Sequence, residues 1–211
     1  MSVEIVKKAM ANFLSNPAPE VLCIKGKWGT GKTYAWENAV KAASSDKSNP
    51  LHFRKYAYVS LFGLKDSADI IQAVFANTRD LYEQNNVPTL TEKFGDISKK
   101  IRKLPLFAAE HANVPYVSGL GGVARALLSN FVHDTLVCFD DFERKSKTVT
   151  VNEIMGTIAQ LRDERKCKIV LILNEDSLDE SEHAEFVRYS EKVINASFVF
   201  EQTAAEAAEI A

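Results

Sequence analysis

Eight consecutive residues, Gly26-Lys27-Trp28-Gly29-Thr30-Gly31-Lys32-Thr33, have the spacing G-x-x-x-x-G-K-[ST]. Glycines so placed let successive backbone N–H groups curl into an anion nest, and a following helix adds its positive end. Lys32 would reach the terminal phosphates of a nucleotide as a point charge, while the Thr33 hydroxyl would ligate the magnesium ion bridging them. Tyr34, next in the chain, is counted with Gly26 to Thr33 among the residues expected at the nucleotide. A plain glycine turn would explain the run without chemistry, but chance supplies the pattern in only about one chain per hundred of this length.

Thr135-Leu136-Val137-Cys138-Phe139-Asp140-Asp141 is an apolar stretch ending in paired carboxylates, as a magnesium site beside a phosphate loop requires. Asp140 is expected to orient the hydrated metal, and Asp141 to hold and polarise an attacking water. Helix caps and solvated loops also place aspartates after strands, so the pair takes its meaning from the loop. Glu143 and Arg144 continue the run and could supply a second acidic group and a phosphate or subunit contact; a surface ion pair fits them equally. Asn174 ends the most apolar stretch, where its amide would contact the terminal phosphate and the water, or merely form a turn. Arg188 and Lys192 flank the start of the last expected strand, from which a cation could stabilise charge on a transferred phosphoryl group; such charges are also common on a solvated face. His52, His111, His133 and His183 share no spacing that suggests a metal or a proton relay.

These side chains need a scaffold. Val3 to Leu14 has helical spacing, and Ser15 to Pro19 is a turn-rich lead-in to a short apolar strand, Val21 to Ile24. Lys32 to Ala43 reads as a helix, Tyr56 to Leu61 as a strand, and Asp66 to Tyr82 as a long helix capped by Asp66. After the strand Leu136 to Phe139 come a helix (Val151 to Leu161), the strand Ile169 to Leu173, a helix (Glu180 to Tyr189) and a last strand (Val193 to Phe200). Strands alternating with helices call for an α/β fold, a three-layer α/β/α sandwich around a mostly parallel five-stranded sheet. Residues 1–20 are then a lead-in, 21–202 the core domain with 88–132 inserted in it, and 203–211 the start of a C-terminal helix, so the chain reads as part of something longer. The insertion mixes a basic amphipathic piece, Lys93 to Leu104, with a looser apolar one, Gly119 to Val132.

At 211 residues and 46% hydrophobic composition, the chain has enough apolar residues for one full core. With a net charge of -2 and both signs interspersed, nothing in the chain resembles the basic face that binds a nucleic-acid backbone, and no nucleic-acid partner is indicated. The three cysteines, Cys23, Cys138 and Cys167, sit in or beside apolar runs without metal spacing, which suggests buried thiols and a cytoplasmic setting. The first ten residues interleave charged and apolar side chains, unlike a secretory signal. The longest charge-free stretch, Ala112 to Ala124, falls far short of the roughly twenty apolar residues of a membrane span.

With these residues in place, the chain resembles the KAP family of P-loop NTPases. Gly26 to Thr33 is similar to that family's G-x-W-G-[ST]-G-K-[ST] loop, Asp140-Asp141-Phe142-Glu143-Arg144 to its D-D-[LF]-[DE]-R segment, and Glu191-Lys192-Val193-Ile194 to its E-K-[IV]-[IV] segment. The resemblance covers about Val21 to Phe200. It implies an additional-strand, AAA- or STAND-like ATPase core with strand order 5-1-4-3-2, the cofactors ATP and magnesium, and adenine over guanine. Members often carry membrane helices where residues 88–132 lie, but that segment is too polar to span, which implies a soluble relative. Many members act in prokaryotic defence or signalling within larger proteins, so other domains of a parent chain, and further copies of this one, are expected partners.

The leading reading is ATP hydrolysis driving a conformational or assembly switch. A P-loop kinase for a small substrate would need a lid arginine cluster, and Lys93 to Lys103 holds only Arg102. A third reading is a binding module with little turnover, because Asp141 stands where fast ATPases usually carry a longer glutamate.

Overall fold

The computed structural model describes residues 3–46, 48, 50–82 and 132–201. A six-stranded sheet runs through it, with strands β1 (Val21–Lys25), β2 (Lys55–Ser60), β3 (Arg79–Asp80), β4 (Thr135–Asp140), β5 (Lys168–Leu173) and β6 (Ala196–Val199). Their spatial order is β3-β2-β4-β5-β1-β6. Every pairing is parallel except that of β2 with β3. The five expected strands stand in the expected order, and β3 adds a sixth at one edge.

Side chains that alternate along each strand sort into two cores, one on each face of the sheet. Leu22, Ile24, Leu136, Cys138, Val170 and Ile172 point to the face covered by α1 (Val3–Ser15) and α2 (Lys32–Ser45), where Met10 and Trp36 are fully buried. Cys23, Val137, Phe139, Ile169 and Leu171 point to the other face, against α3 (Ser67–Asn77), α4 (Val151–Asp163) and α5 (Glu180–Val193). Helix α1 therefore shares the core of the domain through Val6, Met10, Phe13 and Leu14.

Two helix ends depart most from the sequence reading. Asp66 caps α3 as expected, its carboxylate accepting from the Asp69 N–H at 2.8 Å, but the helix stops at Asn77 instead of Tyr82. Thr78 turns extended, its hydroxyl donating back to the Val74 carbonyl at 2.7 Å, and the chain pairs with the edge of β2, where Arg54 meets Asp80 at 3.0 Å. Edge pairing satisfies backbone groups that would otherwise face solvent, and here it outweighs continued helical periodicity. The second is α5, which continues through Val193 because Phe186 and Val193, seven residues apart, share its buried face. Arg162 donates to the Val193 carbonyl at 2.6 Å, so β6 begins only at Ala196. The segments Lys93 to Leu104 and Gly119 to Phe131, most of the 88–132 insertion, and residues 203–211 lie outside the described residues. No helix among the described residues is long and apolar enough to cross a membrane.

All three cysteines are buried and outside any disulfide. Burial pushes the Cys23 thiol up to about 12 and the Cys167 thiol up to about 11, so neither is a nucleophile near neutrality. Lys168 opens β5 with no exposure at all; its ammonium donates to the Ala18 carbonyl at 2.8 Å, lies 3.5 Å from Glu20 and sits over the Phe13 ring at 4.1 Å. Burial, as the largest influence, lowers its pKa from the usual lysine value, with Glu20 opposing. Between the lowered folded value and the ordinary one, the unfolded chain binds more protons, so this group's contribution to stability rises with pH across that window. Melting temperatures from pH 7 to about 11 are expected to shift in favour of wild type relative to Lys168→Met as pH rises, since methionine removes the titration. A pH-independent difference would show that Lys168 titrates alike in both states.

Candidate functional site

Strand β1 delivers the chain into the loop at Gly26, whose N–H is held by the Leu173 carbonyl of β5 at 3.2 Å. Gly26, Gly29 and Gly31 have φ of 155, 75 and 80°, values that L side chains rarely adopt. Gly31 is the N-cap of α2, with no side-chain cap and no acidic residue in the first turn, so the positive helix end faces the loop uncompensated. Thr30 closes the loop from within, its hydroxyl donating to the Lys27 carbonyl at 2.9 Å. The Lys32 ammonium donates to the carbonyls of Gly26 and Lys27, both at 2.7 Å. Burial is the largest influence lowering its pKa, while Glu143, Asp140 and Asp141 act in that order to raise it. The carboxylates of the acidic run therefore converge electrostatically on the loop lysine.

The decisive contact joins the loop to the acidic strand. Thr33 Oγ1 donates to Asp140 Oδ2 at 2.6 Å. Tyr58 of β2 donates its hydroxyl to the same oxygen at 2.8 Å, and the Asp141 N–H donates to Asp140 Oδ1 at 2.8 Å. Asp140 is buried, and desolvation raises its pKa above the usual carboxylate value despite these three donors. A cation beside it would relieve that penalty, and the hydroxyl and carboxylate oxygens are hard donors of the kind magnesium takes.

Asp141 follows with φ 58°, a left-handed conformation that aspartate tolerates better than most residues, and caps a 3₁₀ turn over Phe142–Arg144. Its Oδ2 accepts from Ser60 Oγ at 2.6 Å and its Oδ1 from Arg144 at 3.3 Å. Phe142 anchors that turn, fully buried and edge-on to Phe186 of α5 at 5.4 Å. Glu143 is thereby turned back toward the loop. One of its oxygens accepts from the Trp28 indole at 2.5 Å and the other from the Asn174 N–H at 3.1 Å. Asn174, at the end of β5, donates its amide to Ser177 Oγ at 2.5 Å, and its Oδ1 is buried without a partner among the described residues. A buried acceptor left unmatched beside a phosphate loop is suited to a donor supplied by a ligand or its water.

The model of the KAP family P-loop domain matches residues 4–209. The chain belongs to the KAP family of P-loop NTPase domains. Among solved structures, 36 chains match its fold. One is the ORC2 protein of Aeropyrum pernix in ADPNP–ADP complexes, at a TM-score of 0.51 and 16% identity over 93% of this chain and 47% of that one. At such identity the likeness is one of fold alone, and this domain spans about half the length of that protein. No curated protein matches the sequence.

In this KAP domain the described fold brings Gly26 to Thr33, Asp140, Asp141, Glu143 and Asn174 together. Trp28 and Tyr34 are exposed at the rim, 64% and 50% respectively. Arg188 is not at a strand start: it lies exposed on α5, its guanidinium 5.8 Å from the ring of Tyr189. The Glu191-Lys192-Val193 part of the third family motif likewise closes α5, with Ile194 as its C-cap. Tyr58 and Ser60 were missed from the sequence. Both lie on β2, and their link to the aspartates comes from the register that sets Tyr58 beside Cys138 and Ser60 beside Asp140. Only their polar atoms at alternate positions near a strand end could have signalled it.

Proposed function

We propose that this domain binds ATP with magnesium and hydrolyses it slowly, its nucleotide state serving as a switch or assembly signal within a larger protein, in prokaryotic defence or signalling. The observation that supports this reading is the 2.6 Å bond from Thr33 to Asp140, which joins the loop after β1 to the end of β4. The loop amides from Gly26 to Thr33 and the Lys32 ammonium hold the phosphates, with Trp28 and Tyr34 at the rim. Thr33 and Asp140 are the residues that would hold magnesium, which when bound neutralises charge on the phosphate oxygens. Asp141 polarises the attacking water, and Asn174 offers its unmatched Oδ1 to that water. Arg188, exposed on α5, acts in this reading on the site of a neighbouring copy.

Slow turnover is supported by Asp141 itself, because both of its oxygens are engaged, by Ser60 and by Arg144, and water activation needs one released. The same observation favours a second reading, a module that binds nucleotide without significant turnover. Phosphate release from ATP by wild type and by Asp141→Asn separates them. Asparagine tolerates the left-handed backbone of this position, so the variant keeps its fold. Release is expected to fall about a hundredfold with nucleotide affinity nearly unchanged. No release from either protein leaves the binding module, and release that requires an added acceptor favours a kinase. Parallel titration with ATP and GTP tests the adenine preference.

A further inference from the structure

Three chain segments, distant in sequence, meet on one carboxylate. Trp28 belongs to the loop after β1, Glu143 to the turn after β4, and Asn174 to the end of β5. Glu143 accepts from the first through the indole N–H and from the last through the backbone N–H, one oxygen for each. Trp28 is otherwise a large aromatic held 64% exposed at the tip of a glycine-rich loop, a placement that hydrophobic burial does not explain. Its anchoring is polar. The residue on the other oxygen, Asn174, carries the buried Oδ1 that meets no donor among the described residues.

We propose that Glu143 is a positioning residue that pins the tip of the phosphate loop to the end of β5 through Trp28, so that the anion nest and Asn174 are held in one register before nucleotide arrives. This rests on nucleotide binding at the loop and goes beyond it by assigning the tryptophan and the glutamate one shared task. A loop rich in glycine has many conformations, and binding must order it; a tip already fixed by a charge-assisted bond has less freedom to lose. The Coulombic effect of Glu143 on Lys32 is consistent with the carboxylate lying close over the loop.

A carboxylate is required because both partners donate. Glutamine has one acceptor oxygen and would set its NH₂ group against an N–H. Glu143→Gln, nearly identical in shape, is therefore expected to behave like Glu143→Ala, a result that a purely steric role would not give. Calorimetric titration with magnesium and ATP of wild type, Trp28→Phe, Glu143→Gln and the double variant supplies the test. Each single change is expected to weaken binding about tenfold, and the double change no further, because either one breaks the same link from the loop tip through Glu143 to β5. The indole N–H resonance of Trp28, identified by its loss in Trp28→Phe, should shift in Glu143→Gln while that of buried Trp36 stays. Trp28 lies at an exposed tip, so Trp28→Phe folds even if a change at Glu143 does not. Wild-type affinity in Glu143→Gln, additive losses in the double variant, or an unmoved Trp28 resonance overturns the proposal while nucleotide binding stands. A wild type that binds no nucleotide overturns both.

Discussion

Lys32→Ala is expected to abolish ATP hydrolysis and weaken nucleotide binding by about a hundredfold to a thousandfold, the loss of one charge-assisted phosphate contact in a partly desolvated site. The lysine is buried at 8% exposure, on the first turn of α2 where the helix end and the loop amides already concentrate positive potential. Asp140, Asp141 and Glu143 all bear on it electrostatically, so its removal also leaves three acidic groups facing an anionic ligand without their counter-charge. Affinity should therefore fall further than for an isolated surface lysine. Folding without ligand should survive, because the partners of the ammonium among the described residues are the carbonyls of Gly26 and Lys27 within its own loop. Calorimetric titration, phosphate release and a thermal melt together check this. Undiminished affinity with an unchanged melt would remove Lys32 from the phosphate site.

Gly26→Ala is expected to act in the opposite way, on stability before binding. A Cβ at this position would lie 2.5 Å from the backbone oxygen of Phe200, closer than real Cβ atoms approach, and its φ of 155° already disfavours any L side chain. The Phe200 N–H donates to the Lys25 carbonyl at 2.7 Å, so the chain leaving β6 has little room to withdraw. Strain and clash together should destabilise the domain by about 3 kcal/mol or more. Gly29→Ala supplies the contrast: φ is 75° but nothing lies within 4 Å, so only the conformational cost of about 1–2 kcal/mol applies. Denaturant melts should rank wild type above Gly29→Ala and Gly29→Ala above Gly26→Ala. Equal losses would mean that the backbone of the loop, and not the approach of Phe200, sets the requirement for glycine.

The contrast between these glycines shows how far local pattern reaches. Spacing alone identifies Gly26 as part of a phosphate cradle, but the neighbour that demands it, the carbonyl of Phe200, lies 174 residues along the chain. The same holds for the acidic run. Asp140 and Asp141 are legible as a pair after an apolar strand, whereas Tyr58 and Ser60, which hold them, depend on the parallel register of β2 with β4. Phe142 reads as one more apolar residue between acids; packed against Phe186, it becomes the pivot that aims Glu143.

Local sequence signals point the wrong way where two of them compete and a distant partner decides between them. The periodicity of α3 runs past Asn77, but the open edge of β2 captured Arg79 and Asp80. Val193 and Ile194 are β-branched and read as strand; the buried face already begun by Phe186 held Val193 in the helix, and Arg162 closed its end.

By itself the sequence determined the layered α/β fold and the residues of the phosphate loop and acidic strand, because period and spacing are short-range properties carried by neighbours in the chain; the order of the five principal strands was implied only by the family resemblance. Only the tertiary structure decided that Glu143 spans Trp28 and Asn174, that Tyr58 and Ser60 hold the aspartates, and that Arg188 stands away on a helix surface. Those outcomes depend on which strand ends lie side by side and at what height, and that is set by long-range pairing and packing.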